Sequence, residues 1–120
     1  MGRILLLLGA GLLALTAIIH GYGQPMVDSW LLGLSERQTL AICLVWVTDS
    51  ISWLVVAILW AVAGWKCNWL GAAAVGAAIP TLTALGLLTI DPTFFGGWML
   101  AGSVILAAAG LVTRNREESS

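Results

Sequence analysis

This sequence carries little charge. Only 9% of its 120 residues are Asp, Glu, Lys or Arg, where a soluble domain carries roughly 25%. The few charges also avoid the apolar stretches, collecting at Arg3, between Asp28 and Arg37, at Lys66, at Asp91 and from Arg114 to Glu118. A water-soluble fold needs charge spread over its surface, so that class is excluded. The net charge of -1 has no basic stripe behind it, which excludes nucleic acid as a partner. Cysteine is scarce as well. Cys43 and Cys67 form no CxxC pair and no disulfide framework, and read as small residues packed in or near the membrane. His20 is the single histidine, too few ligands for a metal site, and no cofactor is expected. The alternating pattern of a membrane barrel is missing. The N-terminus lacks a small-x-small cleavage site after its Leu-rich run, and Leu6 stands where myristoylation needs Ser or Thr. It therefore reads as a retained first helix, without a lipid anchor.

What is present is long apolar runs. About 20 apolar residues cross a hydrocarbon core of ~30 Å as a helix, and four stretches are long enough: 4–21, 38–63, 69–90 and 95–112. Backbone groups in lipid must be satisfied within the segment, so the expected fold is all-α, an integral membrane four-helix bundle. It forms a single domain over 1–114, with an interfacial loop at 22–37 and a short polar tail at 115–120. Arg3, Lys66, Arg114 and Arg116 fall on one side of the membrane and only Arg37 on the other. The positive-inside rule then places both termini in the cytoplasm, and a bacterial plasma membrane is the expected location.

Local signals mark the ends of these spans. Gly21, Gly23 and Pro25 break the first helix. Asp28 is placed to cap a short surface piece presenting Val27, Trp30, Leu31 and Leu34 to the interface. Ser35 with Gln38 three residues later fits a capping box that opens the second span. Pro80 is expected to kink the third span and to free a carbonyl near mid-membrane. Gly9, Gly11, the run from Gly71, then Gly97, Ala101 and Gly102 provide small-xxx-small spacings, which let helix backbones approach closely.

Asp49 is the one acid inside any of the four runs, and none of them holds Lys or Arg. A carboxyl at that depth costs several kcal/mol unless it is neutral, paired or wet, so it marks a candidate site. With Trp46 as zero and 100° per residue, Thr39, Ile42, Cys43, Asp49, Ser50, Trp53, Ala57 and Trp60 fall within about 60° of it. Leu40, Leu44, Val47, Ile51, Leu54, Val55 and Ile58 occupy the opposite side. The Trp-Asp face is expected to turn inward and the branched face to meet lipid. Counted from Gln38, Asp49 lies roughly 16 Å below the outer end of its helix, at 1.5 Å per residue. Thr16, Thr81, Thr83 and Ser103 then lie between it and the outer surface, which predicts a cavity opening outward with Asp49 at its floor. His20 falls about a dozen ångströms above Asp49 on the same count, too far for direct pairing.

Three functions remain open on these residues. The first is binding, with transport as an extension, of a small hydrophobic or cationic ligand at Asp49, Trp46, Trp53 and Ser50, with Thr81, Thr83 and Ser103 as further lining. The two tryptophan faces would offer an organic cation about 0.5–2 kcal/mol each. The second is a structural subunit, as a homo-oligomer or within a larger membrane complex. The third is an enzyme acting on a lipid-soluble substrate, with Asp49 and His20 as the acid-base groups. In size and span number the chain resembles the small multidrug resistance exporters. Those carry a glutamate in the first helix, where this chain has no acid, and that departure excludes membership.

Overall fold

Helices account for nearly everything the computed structural model describes, which is residues 1–23 and 31–119. In chain order they are α1 (Gly2–Tyr22), α2 (Glu36–Trp65), a single 3-10 turn (Cys67–Trp69), α3 (Leu70–Gly76), α4 (Ala78–Ile90) and α5 (Phe95–Glu118). The turn, α3 and α4 act as one interrupted rod, so four helices are long and apolar enough to cross a membrane.

Several helix ends follow the local chemistry of the sequence. Ser35 caps α2 through the expected box: its Oγ accepts from the Gln38 amide at 3.4 Å, and Gln38 Oε1 accepts from the Ser35 amide at 3.0 Å. Tyr22 is the last residue of α1, and the Gly23 amide closes it by donating to the Ile19 and His20 carbonyls. The surface piece expected around Asp28, Val27 and Trp30 lies outside the described residues. Between α4 and α5, Asp91 Oδ1 accepts from the Thr93 amide at 2.9 Å and from its hydroxyl at 2.6 Å. That Asx turn is tied to α5 by Trp98 Nε1, which donates to the Pro92 carbonyl at 2.9 Å.

The third span breaks at Gly76–Ala77, upstream of Pro80 itself. Proline at position 80 cannot donate to the carbonyl four residues back, and its ring crowds that carbonyl, so the disruption falls at Gly76. Gly76 packs on Val56 and Leu59, well along α2 from Asp49. The freed carbonyl is therefore not placed to receive a hydrogen bond from that acid.

Most of the polar tail at 115–120 is helical, because α5 continues through Glu118. Glu117 is held at the start of α1 by the Met1 ammonium at 3.0 Å and the Gly2 amide at 3.4 Å. Arg114 reaches the same carboxylate at 3.5 Å.

α1 is the central helix. It packs along α2 on one side and α5 on the other, while α4 leans mainly on α5. Leu6, Leu13, Trp53, Trp60 and Leu100 are essentially fully enclosed in this core. The expected inward turn of α2 holds for Ser50, Trp53, Ala57 and Trp60, which are buried, and for Leu40, Leu44, Val47, Ile51, Val55 and Ile58, which are exposed; Ile42, expected inward, is exposed, and Leu54, expected at lipid, packs against the core. Trp60 also bridges helices, donating from Nε1 to the Ala73 carbonyl of α3 at 3.1 Å.

Cross-helix contacts fix the register. At one end the Arg3 guanidinium lies 3.2 Å over the Trp65 ring, and Gly64 faces the Arg3 carbonyl. At the other end His20 meets Trp46 and Trp53, and Gly21 faces Ser50. Residues 36–45 of α2 therefore extend beyond the end of α1.

Candidate functional site

This register changes the level of Asp49. Measured from the start of its own helix it lies deep. Measured against its neighbours, it is level with the last turn of α1. His20, expected a dozen ångströms above Asp49, instead lies at the level of the tryptophans that bracket it. The His20 ring stacks on Trp46, with centroids 3.8 Å apart and planes at 15°, and meets Trp53 at 4.7 Å. These two tryptophans flank Asp49 by one turn on either side. The error came from assuming that apolar runs begin at a common depth. The extra turns at the start of α2 shift its whole scale relative to α1.

Trp46 also satisfies backbone at the end of α1. Its Nε1 donates to the His20 carbonyl at 2.8 Å, adding a second donor to a carbonyl that also accepts from the Gly23 amide at 3.0 Å. Ser50 donates back to the Trp46 carbonyl at 3.3 Å. α1 and α2 are thus locked together by an aromatic stack and an indole cap at the level where α1 stops.

Beside this lock lies a cavity of about 260 Å³. α1 contributes Thr16, Ile19 and His20, with Gly23 just beyond its end; α2 contributes Trp46 and Trp53. The other wall is Leu87 of α4, then Phe94, Phe95, Gly96 and Met99 where α5 begins. Among the described residues the lining is almost entirely apolar, and His20 is the one titratable group in it. An engineered apolar cavity of about 150 Å³ admits benzene, so this one has room for a molecule of about two fused rings.

Two enclosed ring nitrogens of the lining residues, His20 Nε2 and Trp53 Nε1, have no hydrogen-bond partner among the described residues. Trp53 is 2% exposed. A buried polar group left unpaired costs roughly 1–3 kcal/mol, and most such groups in folded proteins do find a partner.

The structure brings together only some of the residues expected at the site. Trp46 and Trp53 line the cavity, and Ser50 lies directly behind them. Asp49 is half-buried on the edge of the inward face and is not part of the lining. Its angular offset of about 60° from Trp46 explains this. Thr81 and Thr83 bond back to the Ala77 and Ile79 carbonyls on α4, and Ser103 is enclosed between α5 and α1 with its hydroxyl on the Leu100 carbonyl. None of the three reaches the cavity. Thr16 does, although its hydroxyl is bonded to Leu12.

Sequence reasoning missed Phe94, Phe95, Leu87 and Met99. A signal was available: the short turn at Asp91-Pro92 requires the end of α4 and the start of α5 to share a level. Matching that turn to the end of α1 would have placed the Phe pair beside His20. Among the described residues no group of three or more His, Cys, Asp or Glu is arranged to hold a metal ion. No protein-family model, curated protein or solved structure matches this chain.

Proposed function

We propose that this protein is a membrane-embedded binding protein for a small, neutral hydrophobic molecule held between α1, α2 and the start of α5. The observation that carries the reading is the apolar cavity of about 260 Å³ walled by His20, Trp46, Trp53, Phe94 and Phe95. Pockets lined by aromatic side chains with a few polar atoms suit such ligands. A neutral molecule is favoured over a cation because among the described residues no carboxylate lines the space, Asp49 standing at its margin. Binding is favoured over catalysis because the described lining offers one titratable side chain and, among the described residues, no second group to share proton transfer.

The distribution of Arg3, Lys66, Arg114 and Arg116 supports cytoplasmic termini, which would set the cavity in the outer leaflet of a bacterial plasma membrane. A ligand would then reach it laterally from lipid or from the outer surface.

Calorimetric titration of naphthalene into the detergent-solubilised protein tests the proposal. Saturable one-site binding is expected, abolished in Met99→Trp, whose larger side chain fills the space. Uptake that never saturates, or that is identical in Met99→Trp, would show only micelle partitioning and would end this reading.

A further inference from the structure

A second opening lies between α1 and α2, toward the Arg3 end of the bundle. It is a groove of about 300 Å³, with Leu7, Gly11 and Ala14 on one side and Leu54, Ile58 and Ala61 on the other. A Cβ at Gly11 would meet nothing within 4 Å, so the groove is open along its length.

The groove has a charged end. Arg3 is one turn before Leu7 on the same face of α1, and Trp65 is one turn after Ala61 on the same face of α2. Their side chains meet, the guanidinium lying 3.2 Å over the indole. Gly64, next to Trp65, faces both Leu7 and the Arg3 carbonyl, so groove and cation are continuous. Arg3 makes no ion pair or hydrogen bond among the described residues, Glu117 being held by the Met1 ammonium and Arg114. A guanidinium stacked on a ring keeps its in-plane N–H groups for an acceptor, and their fork matches a phosphate. Lys66, Arg114 and Arg116 share this end with Arg3, against Glu117 and Glu118. The positive excess favours a headgroup of net negative charge over one that brings its own cation.

Length identifies the rest of the occupant. Arg3 to Ala14 is about 16 Å at 1.5 Å per residue, the depth of one leaflet in a hydrocarbon core of ~30 Å. A partner helix would cross both leaflets, yet beyond the groove the same surfaces carry the exposed side chains of Leu15, Ile18, Ile51 and Val47. An acyl chain needs only the one leaflet.

We propose that the α1–α2 groove holds an acyl chain of an anionic phospholipid whose phosphate is bound by Arg3. Basic sites between membrane helices bind anionic headgroups in this way. The site is separate from the apolar cavity, so a failure of naphthalene to bind leaves it standing.

Native mass spectrometry of the full chain, with dioleoyl phosphatidylglycerol or dioleoyl phosphatidylcholine added to the detergent, tests the assignment. One phosphatidylglycerol should be retained, with affinity at least about tenfold above that of phosphatidylcholine. Arg3→Gln should cut this preference below about threefold. Arg116→Gln removes the same charge from the same end and should leave the preference within about twofold, as exposed charges contribute little. Gly11→Leu fills the groove and should weaken both lipids several-fold. Equal affinities in the wild type, or a preference that survives Arg3→Gln, would overturn the headgroup assignment and the proposal with it. Equal losses in the Arg3 and Arg116 variants would show diffuse surface attraction only, and overturn it too. Unchanged binding in Gly11→Leu, or a dimer that this variant dissociates, would show that no acyl chain occupies the groove. Should one of these variants fail to fold, the other decides together with the wild-type pair.

Discussion

A single methyl group added at Gly110 should loosen the whole bundle. A Cβ there would stand 2.7 Å from the Leu6 amide nitrogen, 2.9 Å from Leu6 Cγ and 3.0 Å from the Gly2 carbonyl. Ordinary van der Waals contact begins near 3.4 Å, so α1 and α5 must separate by about 0.7 Å (3.4 − 2.7). The obstacle is mainly backbone, so no side-chain rotation relieves it. A gap of about 0.5–1 Å forfeits a quarter to a half of each contact's dispersion well. Close backbone approach is also what associates helices in lipid, where no hydrophobic force between them exists. Overpacking of this kind costs about 1–3 kcal/mol, and alanine's better helix propensity returns at most about 1 kcal/mol. Gly110→Ala is therefore expected to destabilise by about 1–2 kcal/mol. Gly11→Ala is the matched control, because a Cβ there meets nothing within 4 Å, and should be neutral or slightly stabilising. Reversible unfolding in SDS-containing mixed micelles, followed by tryptophan fluorescence, reads both. Equal stability of the two variants, or a stabilised Gly110→Ala, would refute the argument that α1–α5 contact at Gly2, Gly9 and Gly110 holds the fold.

Three other outcomes follow from particular contacts. Trp60→Phe removes the indole donor to the Ala73 carbonyl, which still accepts from the Ala77 amide at 3.1 Å, so the loss of one interhelical hydrogen bond should cost about 0.5–1.5 kcal/mol in the same unfolding assay; an unchanged midpoint would show that this tie between α2 and α3 does not contribute to stability. Asp49→Asn should leave naphthalene affinity within about twofold, since the carboxyl is outside the cavity lining; a tenfold loss in titration would put it inside. The Thr93 hydroxyl, and then its amide, hold the Asp91 carboxyl below the usual carboxylate range. A lowered folded value means this turn stabilises the fold above the unfolded pKa of about 3.9 and loses that contribution as pH falls through the folded value. Unfolding midpoints measured from pH 6 down to 2 should therefore fall less steeply in Asp91→Ala than in the wild type; parallel curves would refute the linkage.

The two tryptophans of the site were legible from α2 alone, because helical periodicity determines which residues share a face. His20 was legible as a residue but not as a member of the site; Phe94 and Phe95 were signalled only by the level of the Asp91-Pro92 turn, and Leu87 and Met99 by no feature of their own helices. Their membership depends on how far each helix is slid along its neighbours, a quantity that no single helix encodes.

The four spans, the capping box at Ser35 and the break associated with Pro80 were determined by the sequence itself, because they depend on local hydropathy, hydrogen bonding and ring geometry. Tertiary packing alone decided the level of Asp49. Contacts at Arg3 with Trp65 and at His20 with Trp46 slide α2 past α1, so a residue eleven or so positions into one helix lies beside the final turn of the next. Register arises from side chains of different helices fitting together, and it is this fit that moved the centre of the site from a lone acid to a histidine between two indoles.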